Sequence, residues 1–282
     1  MSHYDVPRVQ GLWVYPVKSL QGMAVTRWPL TRLGLVFDRR WMLVDPKGHF
    51  LSQRRVPRMA QLQARVRLQD ALAGRPRLLL VDAQGYTFAV PEPDPARPRM
   101  RVRVWRDEVD AIWVSDAVDA WLQARLGVPA RLVYFPDDAH RPLSPKYGLP
   151  GEGTTFTDGY PILIVTQGSL DDLNRRLRTP VGPERFRPNV LIGPTAAYEE
   201  DTWHRVRIGR VPVRVVKPSK RCVITTLDPR TGKRLGKEPL ATLATYRRWQ
   251  GGVIFGQNAV PEAEGVWELG QRVEVLRPRV AW

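Results

Sequence analysis

The chain has 282 residues, with 44 Lys and Arg against 28 Asp and Glu, a net charge of +16, and one cysteine. That length suits one or two domains with a sizeable core, and 43% hydrophobic with 26% charged residues is ordinary for a globular protein. A single Cys excludes an intrachain disulfide, a Cys-ligated zinc finger and an intrachain iron–sulfur cluster, and His3, His49, His140 and His204 are too far apart in sequence to form a local metal pair.

No apolar export signal opens the chain. The longest aliphatic runs, such as residues 78–81 and 162–165, fall far short of the ~20 residues a membrane helix needs. The expectation is a protein without a membrane span, in a reducing, cytoplasmic setting. The basic excess is almost all arginine, 37 Arg to 7 Lys. Arginine pairs bidentately with phosphate and carboxylate. The excess therefore fits a solvated basic surface, a nucleic-acid partner or an anionic small molecule, and charge alone does not choose.

Most of the chain reads as strands. Residues 9–16 alternate apolar and other side chains before a Pro stop. Residues 41–44 form a short apolar run ending in the turn residues Asp45-Pro46-Lys47-Gly48, with 49–52 as the returning arm of a hairpin. Residues 64–68, 77–81 and 101–105 are further strands. In 64–68 and 101–105 arginine alternates with apolar residues, which puts the charges on one face.

A helix is expected over 115–126, with apolar residues at Val118, Trp121, Leu122 and Leu126 and stop signals at Gly127 and Pro129. Five prolines between 129 and 150 mark a linker or an ordered crossing loop, and hence a division into residues 1–130 and 131–282. Strands follow at 160–166 and 190–192, a hairpin at 205–216, and strands at 253–255, 266–269 and 272–276. A helix over 170–177 opens on a capping box at Ser169, and Pro239 opens a short helix to Arg247. The fold class expected is mainly β (α+β): a barrel or curved sheet in each half, with a few short helices.

Four segments could carry chemistry. In Lys217-Pro218-Ser219-Lys220-Arg221-Cys222 the sole thiol follows a strand among three cations. Such a setting favours thiolate over thiol and makes a nucleophile or metal ligand, the alternative being an inert, buried Cys. Tyr15-Pro16-Val17-Lys18-Ser19 ends a strand on a cation and a hydroxyl, a pair suited to an anion. Phe186-Arg187-Pro188-Asn189 enters a strand with Arg187 and Asn189 at alternating positions. In Asp38-Arg39-Arg40-Trp41 the carboxylate could orient a guanidinium, or be no more than a surface ion pair. There is no phosphate-binding P-loop, no Gly-x-Ser-x-Gly elbow and no three-glycine dinucleotide loop.

Together with the segments 38–45 (DRRWMLVD), 166–174 (TQGSLDDLN), 220–232 (KRCVITTLDPRTG), 237–240 (KEPL) and 255–258 (FGQN), these four features resemble the MOSC family in order and spacing across almost the whole chain. The resemblance is to members with an N-terminal MOSC β-barrel domain, in particular the mitochondrial amidoxime-reducing components and their bacterial relatives. It implies a molybdenum cofactor, Mo-pyranopterin dithiolene, with Cys222 as the protein thiolate on the metal and the residue at the centre of catalysis.

It further implies that Lys18, Ser19, Arg39, Arg187, Asn189 and Arg221 hold the cofactor, with Thr166 and Ser169 as weaker candidates. The implied activity is reduction of small N-hydroxylated substrates (amidoximes, hydroxylamines, hydroxylated base analogues) to amidines or amines. The electrons would come from a separate donor protein, a flavoprotein reductase, a ferredoxin or a cytochrome b5-like carrier. Asp228 reads as a turn-capping residue before Pro229 rather than a proton donor. Two positions depart from the amidoxime-reducing pattern: Lys220 stands where those members carry Ser, and Leu20 where they carry Cys. A cofactor or sulfur carrier without turnover is the alternative within the family, and a nucleic-acid-binding β-barrel the alternative outside it.

Overall fold

The computed structural model describes residues 6–282, so His3 lies outside the described residues. The molecule is built mainly from short strands with four short α-helices, as the alternating patterns imply. Its largest sheet runs in the order 273–278, 203–208, 211–220, 252–261, 162–166, 190–193, 8–14 and 23–25. All neighbours in that order are antiparallel except Ile162–Thr166 against Val190–Gly193. The sheet curls so that its strand 8–14 comes back against the start of 273–278: Val9 N donates to Gln271 O at 2.9 Å and Val273 N to Pro7 O at 2.7 Å. Closing a sheet in this way leaves few unpaired edges.

A second sheet orders Trp41–Val44, Arg131–Tyr134, Asp107–Trp113 and Arg99–Val104. Two three-stranded sheets complete the fold, one of them wholly within the first half. The expected division at residue 130 is crossed by strand pairing three times. Arg8–Val14 lies in the second half's sheet, Arg131–Tyr134 pairs inside the first half's, and Gly265–Glu268 pairs with Arg27–Thr31. Trp28 and Trp267 sit opposite each other in that last pairing, both buried, and one apolar core takes residues from both halves. The Pro-rich stretch is an ordered crossing. Buried Arg141 donates to Thr155 O and Thr157 O at 2.8 and 2.7 Å and pairs with Asp107.

Local expectations hold where side-chain chemistry is strong. The helix Asp116–Leu126 is capped by Ser115 Oγ, which accepts from Val118 N, and ends at Gly127 with φ 71°. In Arg99–Val104 the arginines face solvent and the valines the core, and Arg101 and Arg103 both pair with Glu108. The arm at 49–52 bonds back through Leu51 N to Leu43 O but forms only one bridge to that strand rather than a strand of its own.

Three expectations fail. Residues 64–68 are a strand only as far as Arg65, because Leu68 already begins a one-turn helix. The strands Met23–Val25, Arg27–Thr31, Thr87–Val90 and Asp107–Trp113 lie outside the sequence expectation. The helix expected from Leu170 begins at Gln167, so Ser169 lies inside it and caps nothing.

Because the sheets and the core are shared, fragments 1–130 and 131–282 expressed separately should each lack a cooperative unfolding transition. Circular dichroism against urea would show this. A sharp transition in the 131–282 fragment alone would contradict the shared-sheet account.

Candidate functional site

A cavity of about 300 Å³ opens where several strands of the large sheet begin or end. The strand Arg8–Val14 finishes there and hands on Tyr15, Lys18 and Ser19. The strands Ile162–Thr166 and Val190–Gly193 start there, preceded by Asp158 and by Arg187 and Asn189. The strand Val211–Lys220 delivers Lys217, Lys220, Arg221 and Cys222. Residues separated by about 200 positions thus converge because the strands that carry them are neighbours in one sheet.

Of the nine residues expected at the site, seven line the cavity: Lys18, Ser19, Arg39, Arg187, Asn189, Arg221 and Cys222. Thr166 and Ser169 do not. Thr166 ends the strand that starts at the cavity, roughly 10 Å beyond the lining residue Leu163 at strand rise. Both hydroxyls donate to the buried Glu200 carboxylate, at 2.6 and 2.8 Å. In this structure both hydroxyls serve Glu200 and neither reaches the cavity lining. Asp228 accepts from Arg230 N and Thr231 N, as a turn-capping residue should.

Asp38 is the hub of the inner wall. It is buried, its Oδ1 accepts the Tyr15 backbone N–H at 2.8 Å, and its Oδ2 takes Arg39 Nη1 at 2.5 Å, so this is no surface ion pair. The guanidiniums of Arg39 and Arg187 lie 4.1 and 4.3 Å from the Tyr15 ring centroid. Burial pushes the Tyr15 hydroxyl up to about 12, against the pull of Arg187 and Arg39. Burial, with repulsion from Arg39, brings Arg187 down to about 10. Burial also lowers Arg221, and Cys222 opposes that.

Ser19, Arg39 and Arg187 all hold left-handed backbone, with φ of 65°, 48° and 56°. Such conformations are uncommon outside Gly and gather at functional sites. Asn189 commits its amide to the frame: Oδ1 accepts from Leu163 N and Nδ2 donates to Trp13 O, tying three strands together at the cavity floor.

The Cys222 thiol is exposed, at the N-cap of the single turn Val223–Thr226. The choice left open by the sequence falls against an inert core cysteine, which would be buried. Around it the cavity counts seven cations (Lys18, Arg39, Arg54, Arg187, Lys217, Lys220 and Arg221) against one lining carboxylate, Asp158.

Asp158 and Arg54 are two lining residues that the sequence reading misses. The Thr-Asp-Gly turn before the strand at 160–166 is the available signal for the first; nothing marks the second. Lys18 Nζ donates to Asp158 at 2.5 Å and to Phe156 O at 2.9 Å, and Trp105 Nε1 donates to Asp158 at 3.1 Å. Desolvation on the cleft side works against ionisation of Asp158, whose side chain is otherwise largely exposed. The Lys18 charge and hydrogen bond, with the Trp105 bond, outweigh it and hold the carboxyl well below the usual range. Two site guanidinium nitrogens, Arg187 Nη2 and Arg221 Nε, have no acceptor among the described residues. The wall therefore holds positive charge and donors beyond what the protein itself satisfies, which is the chemistry of an anion site.

Two family models match the chain in tandem, the MOSC N-terminal beta barrel domain over residues 6–129 and the MOSC domain over 152–274. The chain belongs to the MOSC family. It is 32% identical to human mitochondrial amidoxime-reducing component 1, over 96% of this chain and 84% of that one. It is also 32% identical to the rat mitochondrial amidoxime reducing component 2, over 95% and 83%. The rice molybdenum cofactor sulfurase (Oryza sativa subsp. japonica) matches at 32% identity over 88% of this chain, which spans about a third of that protein (32%). Among the described residues no helix is long and apolar enough to cross a membrane.

Glu200 behind the site carries its own test. Burial pushes its carboxyl up to about 7, partly offset by the Thr166 and Ser169 hydroxyls. A raised carboxyl means the folded state binds the proton more tightly than the unfolded one. Its contribution is fully present below about pH 4.5 and is lost as pH rises through 7, at a cost of roughly 3 kcal/mol. Glu200→Gln should flatten the stability–pH profile across that window, read by urea denaturation at each pH. An unchanged slope would show that Glu200 is not the titrating group.

Proposed function

We propose that this protein is a molybdenum-cofactor-dependent oxidoreductase that reduces small N-hydroxylated compounds such as amidoximes and hydroxylamines. The observation that carries the reading is one exposed thiol, Cys222, in a cavity whose cations exceed its carboxylates seven to one. A pyranopterin dithiolene cofactor brings a phosphate dianion and a metal that accepts a soft thiolate, and the cavity offers partners for both. The names of the amidoxime-reducing relatives, most of whose length this chain covers, support the same reading.

In this account Cys222 holds the metal. Arg39, Arg187 and Arg221 hold the phosphate with the donors left free on Arg187 and Arg221, and Lys18 and Ser19 close the cradle at the first strand's end. Asn189 acts through the frame. It pins the strands that carry Arg187 and Tyr15 and lines the cavity beside them. Molybdenum bound there would supply two-electron chemistry, by which an N-hydroxyl group, two electrons and two protons give an N–H group and water.

Asp158, ionised against Lys18, presents an acceptor to the N–H groups of an amidoxime or of the amidinium product. The electrons come from a separate donor protein of the flavoprotein, ferredoxin or cytochrome b5 kind, and a free thiol in an active site suits the reducing cytoplasm. The sulfurase relatives favour a second reading, a cofactor or sulfur carrier, because their matching region is a third of a longer protein.

Protein from a host that makes the cofactor should contain molybdenum at near one atom per chain, and Cys222→Ala should lose it. Benzamidoxime should be reduced with a chemical electron donor, and Arg187→Ala should lower molybdenum content together with rate. Molybdenum without turnover would select the carrier reading. Absence of molybdenum from the wild type would remove both.

A further inference from the structure

Five of the cavity's seven cations fall into two groups. The first is the cradle around Tyr15, in which Arg39, Arg187 and Arg221 share Asp158 as a neighbour. The second lies on the strand Val211–Lys220. Residues 217 and 220 are three apart, which in a regular strand would turn their side chains to opposite faces. The pairing with Gly252–Pro261 shifts register between Pro218 and Lys220, and the irregularity brings both lysines to one cavity.

Lys217 Nζ sits 5.1 and 5.2 Å from the ring centroids of Tyr160 and Tyr147. Lys220 Nζ donates to Gln250 O at 2.7 Å beside Trp249. Neither lysine has a carboxylate partner among the described residues. The charges that bear on Lys217 are Lys220 and Lys146, both of its own sign. Tyr160, nine-tenths buried, lines the same space and turns its ring face to Lys217. A half-buried ammonium whose neighbouring charges are all of its own sign is an arrangement that an anion completes.

We propose that Lys217 and Lys220 form a second anion subsite in the cavity, separate from the cradle around Tyr15, which takes a phosphate or carboxylate group. This rests on the proposed function in one respect: the cofactor's phosphate occupies the inner cradle, so the outer group must come from elsewhere. It belongs either to a nucleotide attached to the cofactor or to an anionic substrate. The base or aromatic ring of either would lie among Tyr147, Tyr160 and Trp249.

The first test needs no turnover. Equilibrium dialysis of the full chain, prepared without cofactor, against labelled inorganic phosphate at low ionic strength should give two equivalents bound. Lys217→Gln/Lys220→Gln should bind one, and Lys217→Arg/Lys220→Arg should return to two. One equivalent in the wild type, or two in the glutamine variant, would overturn the subsite. Two equivalents in a protein that reduces nothing would overturn the enzymatic reading and leave the subsite standing.

The second test names the source. A nucleotide found by mass spectrometry on the cofactor released from the loaded protein makes its extra phosphate the occupant. Where no nucleotide is found, two substrates are compared, benzamidoxime and its para-carboxylated analogue. The Michaelis constant for the carboxylated compound, relative to that for the parent, should rise about tenfold in the glutamine variant, as loss of a charge-assisted contact implies. No nucleotide together with an unchanged ratio overturns the proposal.

Discussion

Asp38 is the point on which the site's geometry depends. One oxygen of its buried carboxylate accepts the backbone N–H of Tyr15, and the other holds the Arg39 guanidinium. The first bond fixes where the strand Arg8–Val14 releases the chain. The second lays Arg39 over the Tyr15 ring, where Arg187 also stacks. Without that carboxylate two guanidiniums would crowd one ring with only the outer Asp158 to offset their repulsion. With it, one is neutralised and the other keeps a free donor for a ligand. A preorganised positive site of this kind binds an anion without the added cost of assembling its charges.

The sheet explains why such distant residues meet. The strands that end or begin at the cavity are neighbours in its order, and Asn189 ties three of them at the floor. The left-handed positions Ser19, Arg39 and Arg187 occur where the chain must turn out of or into a strand while aiming a side chain at the cavity. Backbone strain of this kind, of order 1–3 kcal/mol per residue, persists where surrounding bonds over-determine it. Here Arg39 N donates to Tyr15 O and Arg187 N to Glu184 O.

Much of the basic excess lies elsewhere. The arginines of Arg99–Val104 meet Glu108, Asp110 and Asp138 across an exposed sheet face, and such pairs contribute little to stability. The cavity differs because its cations outnumber its carboxylates in a partly enclosed space, where screening by water is weaker. The +16 charge is thus a poor guide to function as a sum and an informative one by location.

The sequence by itself determined the β-rich class, the helix Asp116–Leu126 with its Ser115 cap, and seven of the residues that line the cavity. The class and the helix were legible because alternation and capping are local patterns set by a few neighbouring side chains. The site residues were legible because cations and a thiol at strand ends stand out against that alternation, and because their segments resemble the family's. Only the tertiary structure decided that the two halves share sheets, since strand partners are chosen by long-range packing that no local period encodes. It also turned Ser169 from a cap into a donor to Glu200, because the helix starts three residues earlier than the capping pattern suggests and the buried carboxylate arrives from 31 residues away. Asp158 and Arg54 joined the site for the same reason: each lies in a loop whose own residues say nothing of the cavity wall against which it packs. The cysteine that first excluded disulfides, zinc fingers and iron–sulfur clusters was visible from composition, but its exposure inside a cationic cavity was a property of the folded chain alone.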